Sequence, residues 1–147
     1  MVSPRTVDPP FAAAFVFKVD DIEIGRFTEV SGLAVTMEIE EITEGGNNES
    51  TIKMPGRLTW PNLVLKRGIT DDDELLSWIT TCASAIGGEV SKSTGSVTLY
   101  TGTHTEFRRW EFRDAMPVRW TGPQFAASGN ALASEELEVC HGGFVSS

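Results

Sequence analysis

No run of this 147-residue chain is apolar enough to cross a bilayer, and no cysteine or histidine spacing matches a zinc site. The N-terminal MVSPRTVDPP lacks the apolar core of a secretory signal, so synthesis in the cytoplasm without a signal peptide is expected. Cations are scarce: 12 Lys and Arg stand against 21 Asp and Glu, a formal net charge of −9 with a pI near 4.6. Nucleic-acid affinity rests on cations set against phosphates, and anionic membranes demand the same, so neither is the expected partner of the surface as a whole. There are two cysteines, Cys82 and Cys140, and both read as small buried hydrophobes. There are two histidines, His104 and His141, and neither is paired with a nucleophile by a known spacing. The one glycine-rich polar stretch, EGGNN, lacks the lysine and the following helix of a phosphate loop. No catalytic residue, cofactor or metal is therefore expected.

The chain does hold enough apolar residues, 40%, for one real core. Residues 1–10, with Pro4, Pro9 and Pro10, read as a flexible arm, and residues 11–147 as a single domain. From Phe15 the pattern is that of strands. Phe15, Phe17 and Val19 alternate with Val16 and Lys18, Asp20-Asp21 makes a tight turn, and Ile22 and Ile24 follow, with Gly25 a bulge or turn residue. Leu33, Val35, Met37 and Ile39 alternate with Thr36, Glu38 and Glu40, as in a half-buried antiparallel strand, and the slip at Glu40-Glu41 marks a bulge or change of sheet. A partner strand holds Ile52 and Met54 and ends at Pro55-Gly56. Leu63 and Leu65 share a face of the next strand. Later strands hold Trp110 and Phe112, a break at Met116-Pro117, then Val118 and Trp120, and finally Leu137 and Val139. One helix is expected from Thr70 as N-cap, with acids in its first turn, a stripe of Leu75, Leu76, Ile79, Cys82, Ala83 and Ile86, and a stop at Gly87-Gly88. The four tryptophans read as core. The fold class is mainly β, two packed antiparallel sheets forming a sandwich or barrel, with one α-helix.

Two surface features stand out. Arg108, Arg109, Arg113 and Arg119 form a local basic cluster that could meet acids on a neighbouring copy, with Glu38, Glu40, Glu41, Glu44 and Glu49 as the complement. The stretch EITEGGNNES, residues 41–50, is far longer than a chain reversal needs, since two residues suffice.

In order, G-R-F-x-E-V-S-G-L, E-G-G-N-N, P-G-R and L-K-R-G, with WEFRDAMPVRWTGP and SEELEVCHGGF after them, resemble the tail tube proteins of contractile phages. The sequence is most similar to the inner-tube proteins of extracellular contractile injection systems. The resemblance covers nearly all of the chain beyond the arm. It implies a non-enzymatic subunit that forms hexameric rings, whose sheets join into a continuous β-barrel around a channel. Stacked rings make a rigid tube inside a sheath, nucleated by a baseplate or initiator and closed by a terminator or cap, with protein or DNA cargo in the lumen. Such a tube is driven through a target envelope as part of a phage tail-like particle. On this reading Glu41, Glu44, Gly45, Gly46, Asn47, Asn48 and Glu49 form a ring-stacking loop. Thr36, Glu38, Glu40, Thr51 and Lys53 are candidates to line the lumen. Two other readings stay open, a baseplate or tube-initiator paralogue and a small-molecule-binding β-sandwich.

Overall fold

The structure, a computed structural model, describes residues 14–43, 51–68, 73–84, 93–102, 105–123 and 134–145. The expected N-terminal arm, His104, and the helix residues Thr70, Ile86, Gly87 and Gly88 lie outside these. In chain order the elements are β1 (Ala14–Val19), β2 (Ile22–Phe27), β3 (Glu29–Ser31), β4 (Thr36–Thr43), β5 (Thr51–Thr59), β6 (Leu63–Gly68), α1 (Glu74–Ala83), β7 (Gly95–Tyr100), β8 (Glu106–Phe112), β9 (Met116–Thr121), β10 (Ser134–Cys140) and β11 (Phe144–Val145). They form a five-stranded sheet in the order β11-β8-β7-β1-β2, a four-stranded sheet in the order β3-β6-β10-β9, and the separate hairpin β4-β5. Every pairing is antiparallel.

The core is the alternation made solid. Phe17, Val97 and Phe112 from the first sheet face Leu63, Leu65, Leu137 and Val139 from the second, and all seven are fully buried. Successive strand residues point to opposite faces, so the intervening polar residues fall outside. Asp20 and Asp21 both take positive φ, 51° and 64°, as a two-residue hairpin turn demands, and the Asp20 carboxylate accepts the Thr94 amide at 3.0 Å. A register shift lies between Phe17, opposite Gly25, and Lys18, opposite Glu23, which leaves Ile24 as the extra residue of a bulge beside Gly25. Helix α1 inserts Leu75 and Trp78, and the Trp78 ring meets Phe17 edge-on at 5.4 Å.

Several expectations change. The described helix starts at Glu74 with Asp73 at the N-cap position and ends at Ala83. Its inward stripe is Leu75 and Trp78, buried, with Ile79 and Cys82 partly buried, while Leu76 and Ala83 are exposed, because the spacing i, i+3, i+4, i+7 selects Trp78 over Leu76. The cysteines are half-buried rather than buried. Strand β5 does not end at Pro55-Gly56 but runs through to Thr59, and the break before β9 falls at Asp114, φ 54°, rather than at Met116-Pro117. Pro117 is tolerated because β9 is an edge strand.

Most consequential is β4. It reads as half-buried, yet both its faces are exposed, as are nearly all residues of β5. Among the described residues the hairpin pairs with itself and packs on no other element to any extent.

Candidate functional site

The hairpin carries apolar residues that the described part of the subunit leaves about half exposed. Met37, Ile39, Ile42, Ile52, Met54 and Leu58 are each between 43% and 54% exposed. Burying such side chains stabilises an assembly by roughly 25 cal/mol per Å² of apolar surface, so their clustering on one projecting ribbon marks it as a contact surface.

Its register decides which residues share a face. Met37 is opposite Leu58, but Ile39 is opposite Pro55, so one extra residue of β5 is taken up around Gly56. A Cβ on Gly56 would approach the Glu38 carbonyl oxygen to 2.8 Å, which explains glycine at the bulge. Beyond it, Glu40 faces Met54, Glu41 faces Lys53, Ile42 faces Ile52 and Thr43 faces Thr51. Directly opposed residues lie on the same side of a sheet. Thr36, Glu38 and Glu40 therefore occupy one face of the hairpin, and Thr51 and Lys53 the other. The five candidate lumen residues cannot all line one surface. Had the Met37–Leu58 register continued, Lys53 would stand opposite Ile42 on the Glu38–Glu40 face, and the bulge moves it across.

Of the expected stacking loop, Glu41 belongs to β4 and is paired with Lys53. Glu44, Gly45, Gly46, Asn47, Asn48 and Glu49 lie outside the described residues.

The basic cluster does not form one patch. Arg108 and Arg109 are successive in β8 and point to opposite faces; Arg108 lies 5.0 Å over the Trp110 ring, and Arg109 pairs with Glu111 at 3.2 Å and Asp21 at 3.6 Å. Arg113 sits in the turn after β8. Arg119 is in the other sheet and pairs with Glu138 at 3.3 Å. Arg109 and Arg119 are thus each met by acids of their own chain.

Two features escaped the sequence reading. The first is the sheet edges: among the described residues β3 and β9 each pair on one side only, which makes them the two open edges of the four-stranded sheet. Met116 and Val118 on β9 are exposed beside one of them. An open groove of about 430 Å³ lies along the other, lined by Phe15, Thr28, Glu29, Val30 and Ser31 among others. The second is a ring cluster of Trp60, Phe112, His141 and Phe144, whose centroids lie 5.2 to 6.5 Å apart. His141 Nδ1 accepts the Gly143 amide at 3.1 Å, so Nε2 carries the proton and donates to the Pro61 carbonyl at 3.2 Å. Burial among the rings lowers the His141 pKa from its usual 6.5, and the Pro61 carbonyl offsets part of that. Among the described residues, no three His, Cys, Asp or Glu side chains gather as a metal site, and no helix is long and apolar enough to cross a membrane.

Two sheets with open edges and a projecting apolar hairpin define an assembly subunit. The chain belongs to the T4-like virus tail tube protein gp19 family, whose model matches residues 12–145. It is a structural tube protein. Its fold is similar to a chain in the sheath-tube complex of the PVC extracellular contractile injection system in its extended state, with 28% identity, TM-score 0.72, and 89% of this chain and 86% of that one covered. It is also similar to a chain in the PVC sheath/tube terminator structure, with 26% identity, TM-score 0.74, and 97% and 98% covered. Hcp1 from Salmonella typhimurium shares the fold alone, at 15% identity and TM-score 0.53 over 90% of this chain and 91% of that one. No curated protein sequence matches the chain.

Proposed function

We propose that the protein closes into six-membered rings through the β3 and β9 edges of the four-stranded sheet, and that the rings stack into the inner tube of a contractile injection particle. The observation that carries this is the β4-β5 hairpin, whose apolar residues are exposed on both faces and pack on no other element among the described residues. Strand parity favours the four-stranded sheet as the joining layer. With all pairs antiparallel, its two edge strands run in opposite directions, so β9 of one copy meets β3 of the next in a further antiparallel pair. The five-stranded sheet would instead put two parallel strands at every junction. Six copies would give a barrel of ~24 strands. At a spacing of about 4.8 Å and a tilt near 40°, the backbone diameter comes to roughly 45–50 Å.

In that ring the hairpin reaches a neighbouring copy, and residues 44–49 contact the adjacent ring. Gly45 and Gly46 permit close backbone approach, and Asn47 and Asn48 supply hydrogen bonds without charge repulsion. The Thr36, Glu38 and Glu40 face is the candidate lumen wall on the hairpin. Arg108 and Arg113 are the members of the basic cluster that remain available to a neighbour's acids. Likeness to sheath-tube, terminator and baseplate structures supports partnership with a sheath, a baseplate or initiator and a terminator or cap. It supports a place within a phage tail-like particle; on this reading the channel carries protein or DNA and the subunit has no catalysis of its own.

Negative-stain electron microscopy across a concentration series tests this. Rings with a central hole of the stated order, or stacked tubes, are expected. A strict monomer, alone and with a baseplate added, would refute it. A second reading, a tube initiator or terminator, is favoured by the match to the terminator structure over nearly the whole of both chains. Single rings that never elongate would select it.

A further inference from the structure

The ring cluster around His141 sits at the base of the projecting hairpin. Strand β5 ends at Thr59, and the next two residues, Trp60 and Pro61, are the ones that touch the imidazole. Trp60 also meets Phe144 of β11 edge-on at 5.2 Å, and Phe144 pairs in register with Phe112 of β8. Strand β11 has only two residues, so its ladder is short and the cluster supplies much of its hold. We infer that His141 is a proton-operated clamp: its neutral ring ties the outgoing strand of the hairpin to the C-terminal strand, and protonation releases both.

The chemistry is local. A proton arriving on Nδ1 turns an acceptor into a donor that faces the Gly143 amide at 3.1 Å. That hydrogen bond must break, and the new cation must sit among three aromatic rings or leave them. Gly143 has little room to adapt, because it holds φ +124° and a Cβ there would approach the Trp60 indole to 2.9 Å. The elements packed on the ring are the 60–61 segment, β8 and β11. The charged residues along the β8 side are Glu111, which pairs with Arg109, then Arg113, whose carbonyl accepts the Gly142 amide at 2.7 Å, and Asp114, whose carboxylate lies against Gly142.

The consequence for assembly rests on the proposal that the hairpin joins neighbouring copies. Loosening its base would weaken rings and tubes on acidification. Surface charge is the same in wild type and a variant altered only at His141, so its effect on copies that each carry −9 cancels when the two are compared at one pH.

Hydrogen exchange by mass spectrometry, on wild type and His141→Phe in parallel, separates the two ideas. The Phe variant keeps a ring in the cluster and cannot titrate; His141→Gln is the second variant if Phe misfolds. Taking the ratio of the two proteins at each pH cancels the intrinsic exchange rate. Between about pH 7.5 and pH 5, the ratio at residues 57–62 and 141–145 is expected to rise by up to about tenfold per pH unit, with β1 and β7 unchanged. Microscopy of the same samples should show wild-type assemblies lost over that range and variant assemblies kept. A flat exchange ratio would overturn the clamp, even if rings form. A rising ratio without rings at any pH, even with a baseplate added, would support the clamp and sink the ring reading. A rising ratio with tubes intact at about pH 5 would overturn the link to assembly.

Discussion

The Arg67 guanidinium donates to the Glu135 carboxylate at 2.9 Å, directly across the β6–β10 ladder, and both side chains point into the core. Arg67 is only 4% exposed. Its other face lies 5.2 Å from the centre of the Phe27 ring, and a Cβ on Gly25 would come within 2.7 Å of its Nη1. The glycine of the β2 bulge is thus what lets an ion pair of one sheet reach the opposite sheet.

Removing one partner should be costly. Glu135→Ala strands a buried cation and is expected to lower unfolding stability by about 3–5 kcal/mol. The double variant Arg67→Met with Glu135→Leu leaves no unpaired charge and should recover most of that loss. Urea denaturation of the three proteins, in dilute solution where assembly does not interfere, measures it. Equal losses in single and double variants would show that packing, not charge pairing, sets the cost.

This pair also shows where sequence reading stops. Alternation made β1, β6 and β10 legible, and Leu63, Leu65, Leu137 and Val139 are all where a period of two puts them. The same period places Arg67 and Glu135 on the inner face, but charge argues against burial unless a partner is known, and the partner is 68 residues away. The Asp20-Asp21 turn was legible because two local residues decide it. The run of β5 through Pro55-Gly56 was not, since a bulge is defined by the opposite strand. That bulge moves Thr51 and Lys53 to the Glu41 face, away from Glu38 and Glu40, and so regroups the candidate lumen residues. For β4, the alternation is legible, but alternation alone does not say whether the apolar face is covered by the same subunit, and here it stays exposed.

Gly32 joins β3 to the hairpin with φ +92°, and a Cβ there would collide with the carbonyl oxygen of Asn62. Gly32→Ala meets both a steric and a backbone penalty, and about 1–3 kcal/mol of destabilisation is expected. Because the strain falls where the hairpin leaves the body, thermal unfolding should shift down while the circular dichroism spectrum stays β-rich. An unchanged melting temperature would mean that the 31–34 turn relaxes without cost.

The hairpin's exposed residues should matter to assembly and little to folding. Ile39→Lys and Met54→Lys place charge on opposite faces of the ribbon, where each side chain is already about half exposed. Each should change monomer stability by under about 0.5 kcal/mol. Ile39→Lys should also raise the concentration needed for rings or tubes by at least tenfold, or abolish them, whereas Met54→Lys, on the Glu38–Glu40 face proposed as the lumen wall, should leave assembly intact, as scored by sedimentation and microscopy. If only one of the two impairs assembly, the other face is the lumen wall, and this identifies which side of the hairpin meets the neighbour. If neither does, the ribbon is not the contact surface.

Deleting Gly45 through Asn48 tests the stacking role separately from ring closure. The paired segment of the hairpin runs from Thr36–Thr59 to Thr43–Thr51, so seven residues, 44–50, connect its strands, and three would remain, enough for a hairpin turn. The core and both open sheet edges are untouched, so the subunit should fold with unchanged stability and still form single rings through β3 and β9. What it should lose is elongation, because the residues offered for contact with the adjacent ring are gone. Microscopy and sedimentation would then show rings at concentrations where wild type gives tubes. Tubes of normal length from the deletion would remove Gly45 through Asn48 from the stacking contact. Loss of rings as well would place the loop in the lateral interface instead, beside the Ile39 or Met54 face that the lysine substitutions identify.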